Sequence, residues 1–181
     1  MEGNGMKDYR LVPRISEAEI MEQVDRVAEE VNRDYAGQSL LLVGILKGAY
    51  VFLADLARRL TMPVEVDFVR LASYGQGSET SGEVRITKDL ELPVRGRHVL
   101  VVEDIVDTGL TLDWYLRHLK HLDAASVKLC AFVDKYERRE VDVPLDYVGI
   151  RVPEGFLVGY GLDFAEKHRN LGGIFEVEFL E

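Results

Sequence analysis

Two adjacent carboxylates, Glu103 and Asp104, end an unbroken apolar run, Val99 to Val102, and a third, Asp107, follows after Ile105 and Val106. Thr108, Gly109, Leu110 and Thr111 come next and open a helix-like run reaching Leu122. A continuous apolar strand that feeds a helix is the pattern of the centre of a parallel sheet, where ligands gather beyond the carboxyl ends of the strands. In an extended strand Glu103 and Asp104 would point apart. A chain turning out of the strand lets both accept from vicinal hydroxyls or from metal-bound water. Thr108, Gly109 and Thr111, with a helix terminus behind them, can surround one phosphate with N–H and O–H donors. Diol acceptors and a phosphate cradle in one short segment suit a sugar phosphate better than a nucleoside triphosphate.

Competing chemistries fail on spacing. Gly75 and Gly77 begin like a dinucleotide fingerprint, but Thr80 stands at the third position and no strand-to-helix turn is near. Gly44 to Lys47 lacks the glycine spacing of a P-loop, and no hydroxyl follows the lysine. His98, His118, His121 and His168 have no partner spacing that reads as a zinc site. A serine hydrolase is disfavoured because no nucleophile elbow is present.

The elements that must position these residues follow from periodicity. Ser16 to Val31 reads as a helix, with Ser16 and Glu19 forming a capping box flanked by Ile15 and Ile20, and with Ile20, Val24, Val27 and Val31 on one face. Ser39 to Leu46 is a short apolar strand that passes at once through Lys47 and Gly48 into an apolar helix ending near Leu60. A turn this tight aims backbone N–H groups at an anion. Val64 to Leu71 is the next strand, with Asp67 inside it. Residues 72–83 are small, polar and glycine-rich, the composition of a mobile loop. Val84 to Leu92 reads as a charged edge strand, and Ser126 to Val133 as an inner one ending at Asp134 and Lys135. The charges from Glu137 to Asp142 suggest a solvated excursion. Tyr147 to Ile150 and Ile174 to Leu180 read as strands, the latter alternating Phe175, Val177 and Phe179 against Glu176 and Glu178.

At 181 residues and 47% hydrophobic composition, one domain spanning residues 1–181 with a sizeable core is expected. No apolar run approaches the roughly 18 residues of a membrane span, and the first residues lack a signal-peptide core. The single cysteine, Cys130, lies in an apolar run and fits a reducing, cytoplasmic setting. A formal net charge of −10 disfavours nucleic acid as a partner, since that affinity rests on many cationic contacts to phosphates.

The segment VVEDIVDTGLT resembles the signature of the type I phosphoribosyltransferases, which bind 5-phospho-α-D-ribose 1-diphosphate (PRPP). Together with LKG at 46–48, SYG at 73–75, VDK at 133–135 and GFLVGYGLDF at 155–164, it resembles the hypoxanthine-guanine branch over roughly Leu40 to Arg169. The resemblance implies an α/β fold with a mostly parallel twisted sheet flanked by helices. It also implies a small hood that includes residues 153–181 and a lid at 72–83 with Ser73 and Tyr74 at its centre. Glu103 and Asp104 would hold the ribose hydroxyls, directly or through Mg2+, and Asp107, Thr108, Gly109, Leu110 and Thr111 the 5-phosphate. Leu46, Lys47 and Gly48 match a diphosphate loop in which this family often has a cis peptide between the first two residues. Arg169 matches an arginine reaching the diphosphate, and Asp163 a carboxylate tied to a second Mg2+. In the purine subsite Lys135 would donate to the 6-oxygen, Phe156 stack on the base and the backbone of Leu157 read its edge. Asp107 is the expected proton acceptor at N7.

The implied reaction joins PRPP to hypoxanthine or guanine and releases IMP or GMP with diphosphate, in a homodimer or homotetramer and with no membrane partner. Two alternatives are a xanthine-preferring transferase and a non-catalytic PRPP sensor, and the acidic surface weighs against a sensor that contacts RNA or DNA.

Overall fold

The most apolar stretch of the chain, Leu40–Ile45, is buried along its whole length, which requires both faces of its sheet to be covered. The computed structural model describes residues 8–74 and 83–180. Its elements run Tyr9–Ile15 (β1), Glu17–Asp34 (α1), Leu40–Ile45 (β2), Tyr50–Ala57 (α2), Val64–Tyr74 (β3) and Glu83–Lys88 (β4). His98–Val106 (β5), Leu110–Lys120 (α3), Ser126–Lys135 (β6), Tyr147–Val152 (β7), Leu157–Val158 (β8) and Ile174–Phe179 (β9) complete them. One sheet has the order β4-β3-β2-β5-β6-β7. All its pairings are parallel except that of β4, which lies antiparallel on β3 at the edge.

Alternate residues of the inner strands enter opposite cores. Leu40, Leu42, Leu100, Val102, Cys130 and Phe132 pack with the apolar faces of α1 and α2. Leu41, Val43, Val99, Val101, Leu129 and Ala131 pack with that of α3. Fully burying one such Leu or Val stabilises by about 1.5 to 3 kcal/mol, so these positions together outweigh any single polar contact of the fold. The α1 capping box is present: Ser16 Oγ accepts from the Glu19 N–H, and Glu19 accepts from the Ser16 N–H. Ile20, Val24, Val27 and Val31 are fully buried. No helix among the described residues is long and apolar enough to cross a membrane.

A second sheet, β1-β9-β8, carries a strand that periodicity did not reveal. Pro13 interrupts the β1 pattern, and its partner β9 lies far along the chain, with Arg10 opposite Glu178. Arg10 bonds Glu178 and Arg14 bonds Glu176, so the glutamates of β9 bond arginines of β1. Phe179, expected on a buried face, is instead about half exposed. The expected loop at 72–83 begins and ends as strand, because Ala72, Ser73 and Tyr74 pair with Arg85, Val84 and Glu83. Residues 75–82 of the expected lid lie outside the described residues.

Asp67 is a buried acid in a strand that is otherwise partly exposed, and its partners explain why its burial is tolerated. One carboxylate oxygen accepts from the Phe68 N–H at 2.7 Å, the other from the N–H groups of Glu91 and Leu92 at 2.7 and 2.8 Å, and Lys88 stands at 3.7 Å. Burial pushes its pKa up, but the three backbone donors and Lys88 bring it below the ordinary 3.8. A depressed carboxylate pKa contributes stability above 3.8 that is lost as pH falls through the folded value. Asp67→Asn should therefore lower the urea midpoint at neutral pH by the equivalent of about 1 to 3 kcal/mol. The difference from wild type should narrow below about pH 4. A gap independent of pH would show that the carboxylate charge is not what matters.

Candidate functional site

The acidic pair lies inside β5, which runs on to Val106 and does not turn out at the acids as the sequence suggested; Glu103 stands opposite Ala131 of β6, and Val106 opposite Asp134. Glu103 Oε1 accepts from the Asp104 N–H at 3.0 Å, and Asp104 Oδ1 accepts from the Ile105 N–H at 2.8 Å. Enclosure pushes the Glu103 carboxyl well above 4.5, and the adjacent Asp104 charge and hydrogen bond add to the rise. Enclosure also raises Asp104, against the opposing pull of its hydrogen bonds with Glu103 and Ile105 and the charge of Arg169. The two acids thus hold charge that the fold itself does not fully neutralise.

They open on two neighbouring concavities that share Ile105. One, of 170 Å³, is lined by Asp104, Lys135, Phe156, Leu157 and Asp163. The other, also 170 Å³, is lined by Glu103, Asp107, Thr108, Gly109 and Thr111. Lys135 Nζ stands 3.1 Å from Asp107 Oδ2 and ties the two together, with Arg138 at 3.4 Å from the same oxygen. Asp107 Oδ1 is buried and has no hydrogen-bond partner among the described residues. Gly109 caps α3 at φ 86°, and no side chain caps that end of the helix. A Cβ there would fall 2.6 Å from the Val141 carbonyl oxygen, so glycine is needed for both conformation and space. The Leu110 side chain is exposed, which leaves only its backbone for the cradle.

The turn after β2 lies against Asp104. The Leu46–Lys47 peptide is cis. A Cβ on Gly48 would fall 1.5 Å from Asp104 Oδ2, so bare backbone lies against that carboxylate. On its other side, a Cβ on Gly161, at φ 97°, would fall 2.1 Å from the Gly48 carbonyl oxygen. The loop carrying Asp163 and Arg169 is thereby set directly on the 46–48 turn. Arg169 donates to the Gly161 carbonyl at 2.8 Å and pairs with Asp163 at 2.8 Å, while its Nε is buried and unpartnered among the described residues. Lys47 bonds Glu166 at 2.7 Å, and that hydrogen bond holds the Glu166 carboxyl below its ordinary range.

Several contacts at the site had no signal in the sequence. Phe156, 46% exposed, meets Phe164 and Phe179 edge-on at 5.3 and 6.4 Å, and Tyr9 meets Phe164 at 5.2 Å. The ring expected to stack on a base is therefore propped by rings from both ends of the chain. The stretch read as a solvated excursion is not one throughout. Arg139 is mostly buried, and the N–H groups of Glu140 and Val141 both donate to the Thr108 carbonyl, at 2.9 and 3.1 Å. Ser73 and Tyr74 end β3, and their side chains lie outside what is described.

Glu103, Asp104 and Asp163 offer only hard oxygen donors, which suits Mg2+. Among the described residues no group of three His, Cys, Asp or Glu stands together as a metal site.

A mostly parallel sheet, an acidic pair within an inner strand and a threonine-lined concavity at the start of the next helix are the features the sequence predicts for a phosphoribosyltransferase. The family model for a phosphoribosyl transferase domain matches residues 15–165. The chain is 42% identical to the hypoxanthine phosphoribosyltransferase of Haemophilus influenzae over 175 residues, covering 95% of this chain and 98% of that one. It is 44% identical to the hypoxanthine-guanine phosphoribosyltransferase of Aquifex aeolicus over 165 residues, covering 91% and 93%. A crystal structure of a hypoxanthine-guanine phosphoribosyltransferase from Bacillus anthracis superposes with a TM-score of 0.88 at 42% identity, covering 92% of this chain and 98% of that one. The chain belongs to the hypoxanthine-guanine branch of the phosphoribosyltransferase family.

The raised Glu103 pKa has a measurable sign. Its folded value lies above 4.5, so its contribution to stability is full below 4.5 and is lost as pH rises toward the folded value. Glu103→Gln keeps the shape and removes the charge. The ligand-free variant should melt above wild type at pH 7.5, by about 2 to 4 °C per kcal/mol relieved, and the advantage should vanish near pH 4.5. Equal melting temperatures at pH 7.5 would contradict the enclosure of this acid.

Proposed function

We propose that this chain transfers the 5-phosphoribosyl group of PRPP to N9 of hypoxanthine or guanine, giving IMP or GMP and diphosphate. The observation that carries the reading is the 3.1 Å contact between Lys135 and Asp107. It joins a base-sized concavity bearing Phe156 to a phosphate-sized one bearing Thr108 to Thr111. Formation of IMP from hypoxanthine, PRPP and Mg2+ by the folded protein tests it directly.

The residues divide the work by chemistry. The 5-phosphate sits in the cradle of Thr108, Gly109, Leu110 and Thr111, where the uncapped start of α3 presents backbone donors. Glu103 and Asp104 accept from the ribose hydroxyls. Leu46, Lys47, Gly48 and Arg169 surround the diphosphate, whose departure leaves positive charge on the sugar. Mg2+ would be held by Glu103, Asp104 and Asp163 together with substrate oxygens, and it supplies neutralisation of the diphosphate charge. Cations fixed at the leaving group and acids fixed at the sugar act on charge that develops in the transition state. Phe156 stacks on the base, the Leu157 backbone reads its edge and Lys135 donates to the 6-oxygen. As N9 attacks C1, the proton at N7 passes to Asp107, whose buried Oδ1 is free to accept among the described residues.

The three-stranded sheet serves as the hood, and residues 72–83, with Ser73 and Tyr74, serve as a lid that keeps water from the oxocarbenium-like centre. The lid, the single-domain boundary at 1–181, a cytoplasmic location and assembly as a homodimer or homotetramer belong to the same proposal. Light scattering of the purified protein measures the last of these.

Asp107→Asn should lower kcat by about 10²- to 10⁴-fold while most PRPP affinity survives, and unchanged turnover would remove the residue as proton acceptor. Lys135→Ala should weaken purine binding by about 1 to 3 kcal/mol and PRPP binding much less; equal losses would point to a damaged fold. Adenine presents a donor at position 6, so it should be rejected relative to hypoxanthine in a competition assay.

A further inference from the structure

Asp134 is a buried acid that the proposed chemistry leaves without a task, and Arg139 is a cation only 17% exposed in a stretch that reads as solvated. They form a single brace. In register, Asp134 of β6 lies between Val106 of β5 and Arg151 of β7, immediately before Lys135. Arg139 Nη2 donates to Asp134 Oδ1 at 2.5 Å, and Arg139 Nε donates to the Asp107 backbone carbonyl at 2.9 Å. Arg151 Nε stands 3.4 Å from the second oxygen of Asp134. A Cβ on Gly109 would fall 3.2 Å from Arg139 Cδ, so the arginine stem lies against the cradle itself. One planar guanidinium therefore grips a sheet carboxylate with one edge and the phosphate loop with another, a geometry an ammonium group cannot reproduce.

We propose that Arg139, anchored by Asp134, is a positioning residue that fixes the 107–111 loop for the 5-phosphate and holds Asp107 in line with Lys135. The proposal rests on the reading of that loop as the 5-phosphate cradle. Arg139 touches no reacting atom; it acts through the Asp107 carbonyl, and its neighbours Glu140 and Val141 hold the Thr108 carbonyl from the same side. The diphosphate end of the site, at Lys47, Gly48 and Arg169, is carried by β2 and the 159–171 loop and shares no contact with this brace among those described. The two ends of the substrate are thus held by independent supports.

That separation gives the test. Arg139→Lys keeps the charge beside Asp134 but loses the second grip, and Asp134→Asn keeps Arg139 but weakens its anchor. Calorimetry should show IMP binding weakened by about tenfold or more in Arg139→Lys, the scale set by losing a charged hydrogen bond, with a smaller loss in Asp134→Asn. Binding of inorganic diphosphate with Mg2+ should stay within about twofold of wild type in both, since no direct contact is lost there. IMP affinity unchanged in Arg139→Lys, or equal losses for IMP and diphosphate, would overturn the assignment. If the wild-type protein binds diphosphate but no IMP, the reading of the cradle fails instead, which is a different result.

Discussion

Everything at this site depends on placing two adjacent carboxylates side by side in a partly enclosed position near the end of β5. An acid that loses its hydration must be paired, bonded or left with a raised pKa, and Glu103 and Asp104 are of the last kind. The apolar run Val99 to Val102 of β5 and the parallel strands on either side carry them toward the carboxyl end of the sheet. Their partners inside the fold are weak ones: each other, two backbone N–H groups and the distant charge of Arg169.

Close backbone contact does the rest of the positioning. Gly48 lies against the Asp104 carboxylate on one side and against Gly161 on the other, so three parts of the chain meet at a point where no side chain fits. The contact sets the loop carrying Arg169 and Asp163 beside the end of β5 without any long connecting side chain. Gly109 plays the matching part at the start of α3, with Val141 pressed against it. Side chains can then be spent on chemistry, because glycine backbone provides the spacing.

Legibility in the sequence followed the range of the interaction. The capping box of α1, the fully apolar β2 and the acidic pair with its Asp-Thr-Gly turn are local patterns, and each was readable from adjacent residues. The strand β1 was not, since its existence depends on a partner at the far end of the chain and Pro13 breaks its alternation. Arg139 and Glu166 were hidden for another reason. A charge within a charged run gives no sign of whether it meets solvent or folds back on a distant carbonyl. Phe164 and Phe179 were readable as apolar residues, but not as supports for Phe156, because that pairing arises only once β8 and β9 are adjacent.

The pairing of β1 with β9 has a consequence for biosynthesis. A ribosome extrudes β1 before and β9 after all the other described elements, so β1 must wait as an unmatched strand while the larger sheet assembles. Phe179, which meets the Phe156 ring edge-on, lies in β9, so it reaches that ring only once β9 has paired with β8. The support of the Phe156 ring is therefore a product of the second sheet, and it forms only when β1, β8 and β9 have come together.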